Sequence, residues 1–354
     1  MTADAPEIII GSRKVGSAHP PLFWPDIDLY FHRDEKLARR LIDTIAAAGG
    51  GYLKGAALHR ADLCLDESGL MPYFDHLNGK MVAYPYRQMI EDMVVPLGML
   101  ERLLSHGRDA GLEIVLSVYD EEGVCFAEQS HVVALKIPSS NITHKWLIER
   151  AASTGLPLVI DTGRSRWFEI DRAIGWAEKA GGLGRLLIQH SPPGPPATAE
   201  RFHMRMLAEL SRSFACPVGL SDHHAGLDML PLALALGACV FEKGVVAERC
   251  EAGIDRAHAI PADRLAEAIK MMHSNWMALG HSRRPDGDAP MSSPDRMGCV
   301  AARTLTVGEF LTRKDIEFAF PVVGAPADEA DRLVGRKVKS ALVRGQPITP
   351  ADLS

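Results

Sequence analysis

The sequence predicts an α/β protein, a (β/α)8 TIM barrel followed by a small β-rich C-terminal domain. Three observations lead there. Eight short apolar runs recur over about 260 residues, most of them separated by amphipathic segments. No Gly-x-Gly-x-x-Gly turn follows any of these runs, which sets an open doubly wound sheet behind the barrel. A stretch rich in Pro, Ser, Gly and Asp then separates this region from a C-terminal segment that carries an internal repeat.

The strand-like runs are Leu22–Leu29, Gly51–Lys54, Glu113–Ser117, Val132–Ile137, Pro157–Asp161, Arg185–Gln189, Pro217–Ser221 and Ala238–Glu242. Helical patterning spans Asp34 to Ala48, with an acidic first turn and a triple-glycine stop. It returns over Leu97–Gly111, Lys145–Thr154, Trp167–Ala180, Ala199–Phe214 and Ala262–Leu279. The barrel is therefore assigned to residues 1–281, a linker to 282–298 and the small domain to 299–354. In that domain Gly308-Glu-Phe-Leu-Thr-Arg-Lys-Asp-Ile316 matches Gly345-Gln-Pro-Ile-Thr-Pro-Ala-Asp-Leu353. The pattern G-x-x-[LI]-T-x-x-D-[IL] predicts two like β elements of one compact unit, because two copies are too few for a solenoid. Met271–Met277 reads as a packing helix, and Pro192–Pro196 as a rigid loop without chemistry of its own.

Composition excludes several classes. Apolar residues make up 47% and charged residues 24%, ordinary for a globular chain. A net charge of −6 and an isoelectric point near 6.2 argue against a nucleic-acid binder. No run reaches the ~18–20 apolar residues of a membrane span, and the start lacks the pattern of a signal peptide. Six scattered cysteines with no CxxC pair suit reduced thiols, which predicts a cytoplasmic protein.

In a barrel, chemistry sits where strands end at their C-terminal side. The polar residues there are Asp26, Asp28, Lys54, Ser117, Tyr119, Asp120, Lys136, Ser139, Asp161, His190, Ser191, Ser221, Asp222, His223, His224, Glu242 and Lys243. Two lysines that end apolar strands are costly to bury unless paired or facing an anion. Three readings stand: each lysine bonds a barrel carboxylate; Lys54 and Lys136 with Ser139 and Ser221 cradle a phosphate or carboxylate; or one lysine forms a Schiff base. His223 is a candidate metal ligand, although a hydrogen-bonded loop histidine explains it equally. Adjacent strand side chains face opposite ways, so His223 and His224 do not act together.

These motifs together resemble the sialic acid synthases, which pair a barrel with a C-terminal antifreeze-like (SAF) domain. The carriers are IGSRKVGSAHPPLFWPDID, LARRLIDTIAAAGGGYLKG, LKIPSSNIT, VGLSDHHAG, LGACVFEKG and the C-terminal repeat, which span nearly the whole chain. The resemblance implies condensation of phosphoenolpyruvate with an open-chain aldose, giving a 2-keto-3-deoxy sugar acid for surface polysaccharide. It implies that Lys54, Lys136, Ser139, Ser191 and Ser221 contact phosphoenolpyruvate. It implies His223 as a ligand of Mn²⁺ or Mg²⁺, and Asp26, Glu242 and Asp255 as catalytic carboxylates. It also implies a domain-swapped homodimer, in which Phe320 stands where the family's arginine meets the acceptor sugar.

Departures from the family pattern set further expectations. Gly244 stands in place of a second histidine ligand, so a weak or absent metal is expected, unless Glu242, Asp255, His190, His224 or His258 supplies a donor. Val118 removes a phosphate-binding hydroxyl, and Pro193 falls where the family has an aromatic residue. Asp26-Ile-Asp-Leu-Tyr-Phe-His32 departs from the family's first-strand motif, and Ala319-Phe320-Pro321 from its Lys-Arg-Pro. Two functions follow: a divergent synthase with an altered acceptor, or an impaired relative that binds sugar or phosphate as a partner subunit. A different lyase or aldolase on the same scaffold is the third.

Overall fold

The computed structural model describes residues 6–27, 30–194, 196–247, 255–280 and 295–354. The chain divides into two compact units, Met1–Leu279 and Gly280–Ser354. In the first, eight parallel strands form a closed ring. They are β1 (Leu22–Asp26), β2 (Tyr52–Ala57), β3 (Glu113–Val118), β4 (Ala134–Ile137), β5 (Leu158–Asp161), β6 (Leu186–His190), β7 (Val218–Asp222) and β8 (Ala238–Val246). β8 closes the ring on β1, with Gly244 opposite Asp26 and Glu242 opposite Trp24. Each strand leads to a helix: α1 (Glu35–Ala47), α2 (Leu97–Asp109), α3 (Glu121–Gln129), α4 (Lys145–Ser153), α5 (Trp167–Ala177), α6 (Met206–Phe214), α7 (Met229–Ala235) and α8 (Leu265–Leu279).

The two-residue period of a strand separates the two faces of this ring. Phe23, Leu53, Leu116, Leu135, Ile160, Ile188, Leu220 and Phe241 face outward and join Ile42, Leu104, Ile148, Ile174 and Leu265 of the helices in one core. Leu22, Trp24, Tyr52, Val115, Ala134, Val159, Leu187 and Val240 form a separate cluster inside the ring. Ile8, Ile10 and Val15, from an antiparallel hairpin of Ile8–Ile10 with Arg13–Val15, join that inner cluster. The Tyr52 hydroxyl donates to the Ile10 carbonyl at 3.1 Å, so the hairpin plugs the N-terminal end of the barrel.

Helix starts follow their caps. Asp34 accepts from the Lys36 and Leu37 amides at 2.9 and 3.1 Å, and α1 begins at the next residue. Asp120 caps α3 through the Gly123 amide at 2.8 Å. Three sequence expectations are corrected. The helix expected over Ala199–Phe214 is a short 3₁₀ turn at Ala199–Arg201 and a helix from Met206. The expected Ala262–Leu279 helix starts at Leu265, after a 3₁₀ turn. In its Met-rich stretch Met272 packs, whereas Met277 is exposed. An antiparallel hairpin, Leu70–Asp75 with Lys80–Pro85, was not expected.

The second unit has its own core of Cys299, Ala301, Leu305, Leu311, Leu333, Val338, Leu342, Ile348 and Leu353. The repeat is one turn built twice. Gly308 and Gly345 both take positive φ, 98° and 80°. The Thr312 hydroxyl donates to Asp315 Oδ2 at 2.6 Å, and the Thr349 hydroxyl to Asp352 Oδ2 at 2.6 Å. Leu311 and Ile348, at matching positions, are buried in that core. Most of the expected linker lies outside the described residues, and Gly298, its expected last residue, opens the strand Gly298–Ala301.

Candidate functional site

One layer above the apolar interior, the same alternation turns Asp26, Lys54, Ser117, Lys136, Asp161, Gln189, Ser221 and Glu242 inward. Their geometry bears this out. Lys136 lies on β4 and Glu242 on β8, half a turn of the ring apart, yet Lys136 Nζ is 2.6 Å from Glu242 Oε1. Lys136 also pairs with Asp161 of the neighbouring strand at 2.9 Å. Lys54 pairs with Asp26, its register partner on β1, at 3.1 Å. Ser221 donates to Glu242 Oε1 at 3.2 Å. Both lysines thus bond barrel carboxylates, the first of the three readings drawn from the sequence.

This cluster holds three carboxylates and two ammonium groups in a buried layer. Burial works against the Lys136 ammonium, but Asp161 and Glu242 outweigh it and hold its pKa above the ordinary lysine range. Burial likewise opposes the Glu242 charge, yet Lys136 and Lys54 hold its carboxyl well below the usual carboxylate range. A Schiff base needs a neutral amine, so Lys136 is poorly set for that chemistry. The Gln189 amide is buried in the same layer and neither its Nε2 nor its Oε1 finds a hydrogen-bond partner.

Two residues further along the inward positions, the barrel opens. A cavity of about 420 Å³ is lined by Ser139, Gly163, Arg164, Ser165, Ser191 and His223, among others. Ser139 and Ser191 converge on Gly163: a Cβ added there would lie 2.9 Å from Ser139 Oγ and 3.3 Å from Ser191 Oγ. Arg164, with φ of 57°, brings an exposed guanidinium to this cleft. Pro192 and Gly194 of the proline loop line it too. Arg164 was missed in the sequence, because it lies beyond its strand end and only the turn that follows carries it to the mouth.

Outward parity disposes of other expectations. His190 lies behind the ring, where its Nε2 meets the Phe202 carbonyl, and burial pushes its pKa down. His224 also faces away, toward the Ala197 carbonyl and Asp228. Lys243 pairs with Asp222 at 2.8 Å in the fully buried layer between strands and helices. These residues hold the fold and do not line the cleft.

His223, in contrast, reaches the mouth. Its Nε2 is 3.5 Å from Ser221 Oγ, and its Nδ1 is buried without a hydrogen bond. Gly244 offers no donor, and Tyr30 fills the space that a side chain there would need: a Cβ would meet its hydroxyl at 2.5 Å. His258 is buried with its ring centroid 4.8 Å from that of His223. Two imidazoles at one mouth fit a divalent cation. A second group of ligand-type residues, His59, Asp120 and Glu122, fits less well. Asp120 there already caps α3 and pairs with Arg60 at 3.0 Å.

Asp255 takes a left-handed φ of 63°, and its carbonyl accepts from Tyr30 at 3.4 Å. Asp28 lies outside the described residues. Phe320 belongs to the second unit and is 63% exposed. The described cysteines are free thiols, and no described helix is long and apolar enough to cross a membrane.

Comparison with known proteins gives this mouth a context. An N,N'-diacetyllegionaminic acid synthase of Legionella pneumophila is 27% identical over 346 residues, 95% of this chain and 96% of that protein. An N-acetylneuraminate-9-phosphate synthase of Mus musculus is 23% identical over 333 residues, 92% of this chain and 90% of that protein. The crystal structure of the spore coat polysaccharide biosynthesis protein SpsE of Bacillus subtilis superposes with a TM-score of 0.65 at 20% identity. It covers 98% of this chain and 99% of that one, and speaks to the fold alone. The SAF domain matches residues 296–354, the unit with the doubled turn. The NeuB family matches residues 41–284, which take in seven of the eight strands and the inward lysines, and the chain belongs to that family.

Proposed function

We propose that this protein condenses phosphoenolpyruvate with an open-chain aldose to form a 2-keto-3-deoxy sugar acid, releasing phosphate. The observation that carries the reading is the stacking of two layers in one barrel mouth. A hydroxyl-lined cleft with Arg164 lies one layer beyond the buried cluster of Lys54, Lys136 and Glu242. Names of relatives that make legionaminic and neuraminate acids support the same class of product.

In this reading Ser139, Ser191 and Arg164 hold the phosphoryl group, since charge-assisted hydrogen bonds to phosphate are the strong kind. Lys54 and Lys136 offset the donor's carboxylate. The enol carbon attacks the aldehyde carbon, its π electrons form the new carbon–carbon bond, and the aldehyde oxygen takes a proton from solvent. Water then adds to the cationic centre and gives its proton to a carboxylate, for which Glu242, ionised and bonded to Ser221, is placed. The carbon–oxygen bond to phosphate breaks, the hydroxyl left on that carbon becomes the keto group, and its proton leaves with the phosphate. A divalent cation beside His223 would polarise the aldehyde. Asp26 positions Lys54, and Asp255 belongs to the acceptor side.

The test is phosphate release from phosphoenolpyruvate across a panel of aldoses, with and without divalent metal, scored together with appearance of the keto acid. Both should rise with one aldose class. Binding of phosphoenolpyruvate without release for any aldose would favour a partner subunit, a reading that the double neutralisation of Lys136 supports. Absence of both would end the proposal.

A further inference from the structure

We propose that His258 is the second imidazole ligand of a divalent-metal site at the barrel mouth, in place of a side chain at position 244. The inference rests on the functional reading only for its location; the pair itself stands on geometry.

Position 244 is closed to a ligand for two reasons. It is glycine, and the Tyr30 hydroxyl sits where a Cβ would go. Tyr30 is buried with Val246 and Ala259 in a small apolar cluster, so it cannot swing aside at no cost. The same cluster anchors the segment that carries His258, one residue before Ala259. His258 is thereby held at the mouth rather than on a free loop. Its ring lies at 45° to that of His223, with centroids 4.8 Å apart, too tilted for a stacked pair and close enough for both to reach one ion.

His223 adds the second observation. Its Nδ1 is buried and has no hydrogen-bond partner, and such a group costs free energy unless something satisfies it. Neutral imidazoles are the commonest protein ligands for first-row divalent metals. The other histidines at the strand ends are excluded by parity, since His190 and His224 bond carbonyls behind the ring. Two protein donors leave the remaining coordination positions to water and substrate, which suits a catalytic rather than a structural ion.

The experiment titrates Co²⁺ into chelator-treated full-length protein without donor or aldose, followed by visible absorption. It is repeated for H223A, H258A and H59A, each checked for native circular dichroism. One site is expected in the wild type, weakened at least tenfold in H223A and in H258A and unchanged in H59A. Pulsed electron paramagnetic resonance of the Mn²⁺-loaded wild type should show two imidazole nitrogen couplings, a measurement that needs no variant. The proposal falls if H258A binds like the wild type, if H59A abolishes binding, if one coupling is seen, or if the wild type takes up no Co²⁺. Because no substrate is present, failure here leaves the condensation reading standing, and failure of phosphate release leaves the metal site standing.

Discussion

Lys136 on β4 spans the barrel to Glu242 on β8, with its Nζ 2.6 and 2.8 Å from the two carboxylate oxygens. A pair this buried is weak evidence for stability as such, but breaking it from one side leaves an uncompensated charge. Lys136→Met strands Asp161 and Glu242 together and should cost about 3–5 kcal/mol in urea unfolding. Adding Glu242→Gln to that variant removes one stranded charge. The double variant should be more stable than Lys136→Met alone, and the coupling from the cycle should exceed roughly 0.5 kcal/mol. Strict additivity would mean that the pair does not hold in solution.

The same pair sets a pH dependence. The Glu242 carboxyl is held low in the folded protein, against an unfolded value near ~4.3. Its contribution is present above that value and is lost as pH falls through the folded one. Lys136 is held high, so its contribution is present below the unfolded ~10.4 and is lost as pH rises through the folded value. His190 is pushed down by burial, so below about pH 6.5 the unfolded chain takes up its proton first and stability falls. Urea unfolding from pH 7 to pH 3 should show a loss near the His190 range and a further, more acidic loss in the wild type. Glu242→Gln should keep the His190 loss and make the more acidic one shallower, since Glu101 and Asp315 are also held low in the folded protein. Parallel curves would remove Glu242 as an acid-sensitive group.

Much of the barrel was legible because a strand buried on both faces writes an unbroken apolar run, and each of the eight runs marks a strand. The inward lysines were legible for the same reason, since Lys54 and Lys136 interrupt such runs. Their partners were not. Asp161 and Glu242 read as strand ends; the order of eight runs sets β4 opposite β8, but not which side chains meet across the ring. The N-terminal hairpin escaped because three-residue strands carry too little periodicity to register. His258 could be offered only as one of several donors, since its approach to His223 depends on Tyr30 and Ala259, far apart in sequence. The C-terminal repeat was readable in full, because each copy contains its own turn glycine, capping threonine and aspartate.

Gly244 and Tyr30 form a matched pair of small and large. Gly244→Ala places a Cβ 2.5 Å from the Tyr30 hydroxyl and 3.0 Å from its ring carbon. Overpacking of this kind costs about 1–3 kcal/mol. Tyr30→Phe removes the nearer contact, so Gly244→Ala should cost less in that background. Thermal unfolding of the four proteins measures it. An equal cost in both backgrounds would show that Tyr30 does not occupy this space.

The cleft itself is tested best at Gly163. Ser139 and Ser191 approach it from two strand ends, and an alanine methyl would lie 2.9 Å from Ser139 Oγ. Rotating the serine hydroxyl relieves that contact but leaves Ser139 Cβ 3.0 Å from the methyl, so Gly163→Ala should cost about 1–3 kcal/mol in unfolding, as overpacking does, and the variant should still fold. The methyl would nevertheless stand where a phosphoryl oxygen must sit if both hydroxyls donate to it. Phosphoenolpyruvate binding by calorimetry should therefore weaken at least tenfold, about 1.4 kcal/mol. Arg164→Ala, which removes the cleft's guanidinium without touching the barrel interior, should weaken binding by a similar factor. Arg164→Lys should recover only part of it, because an ammonium does not offer the planar fork that a guanidinium presents to phosphate. Unchanged affinity in Gly163→Ala, with Lys136→Met abolishing binding, would place the phosphoryl group deeper, at the lysines, and would mean that Asp161 and Glu242 yield when it arrives.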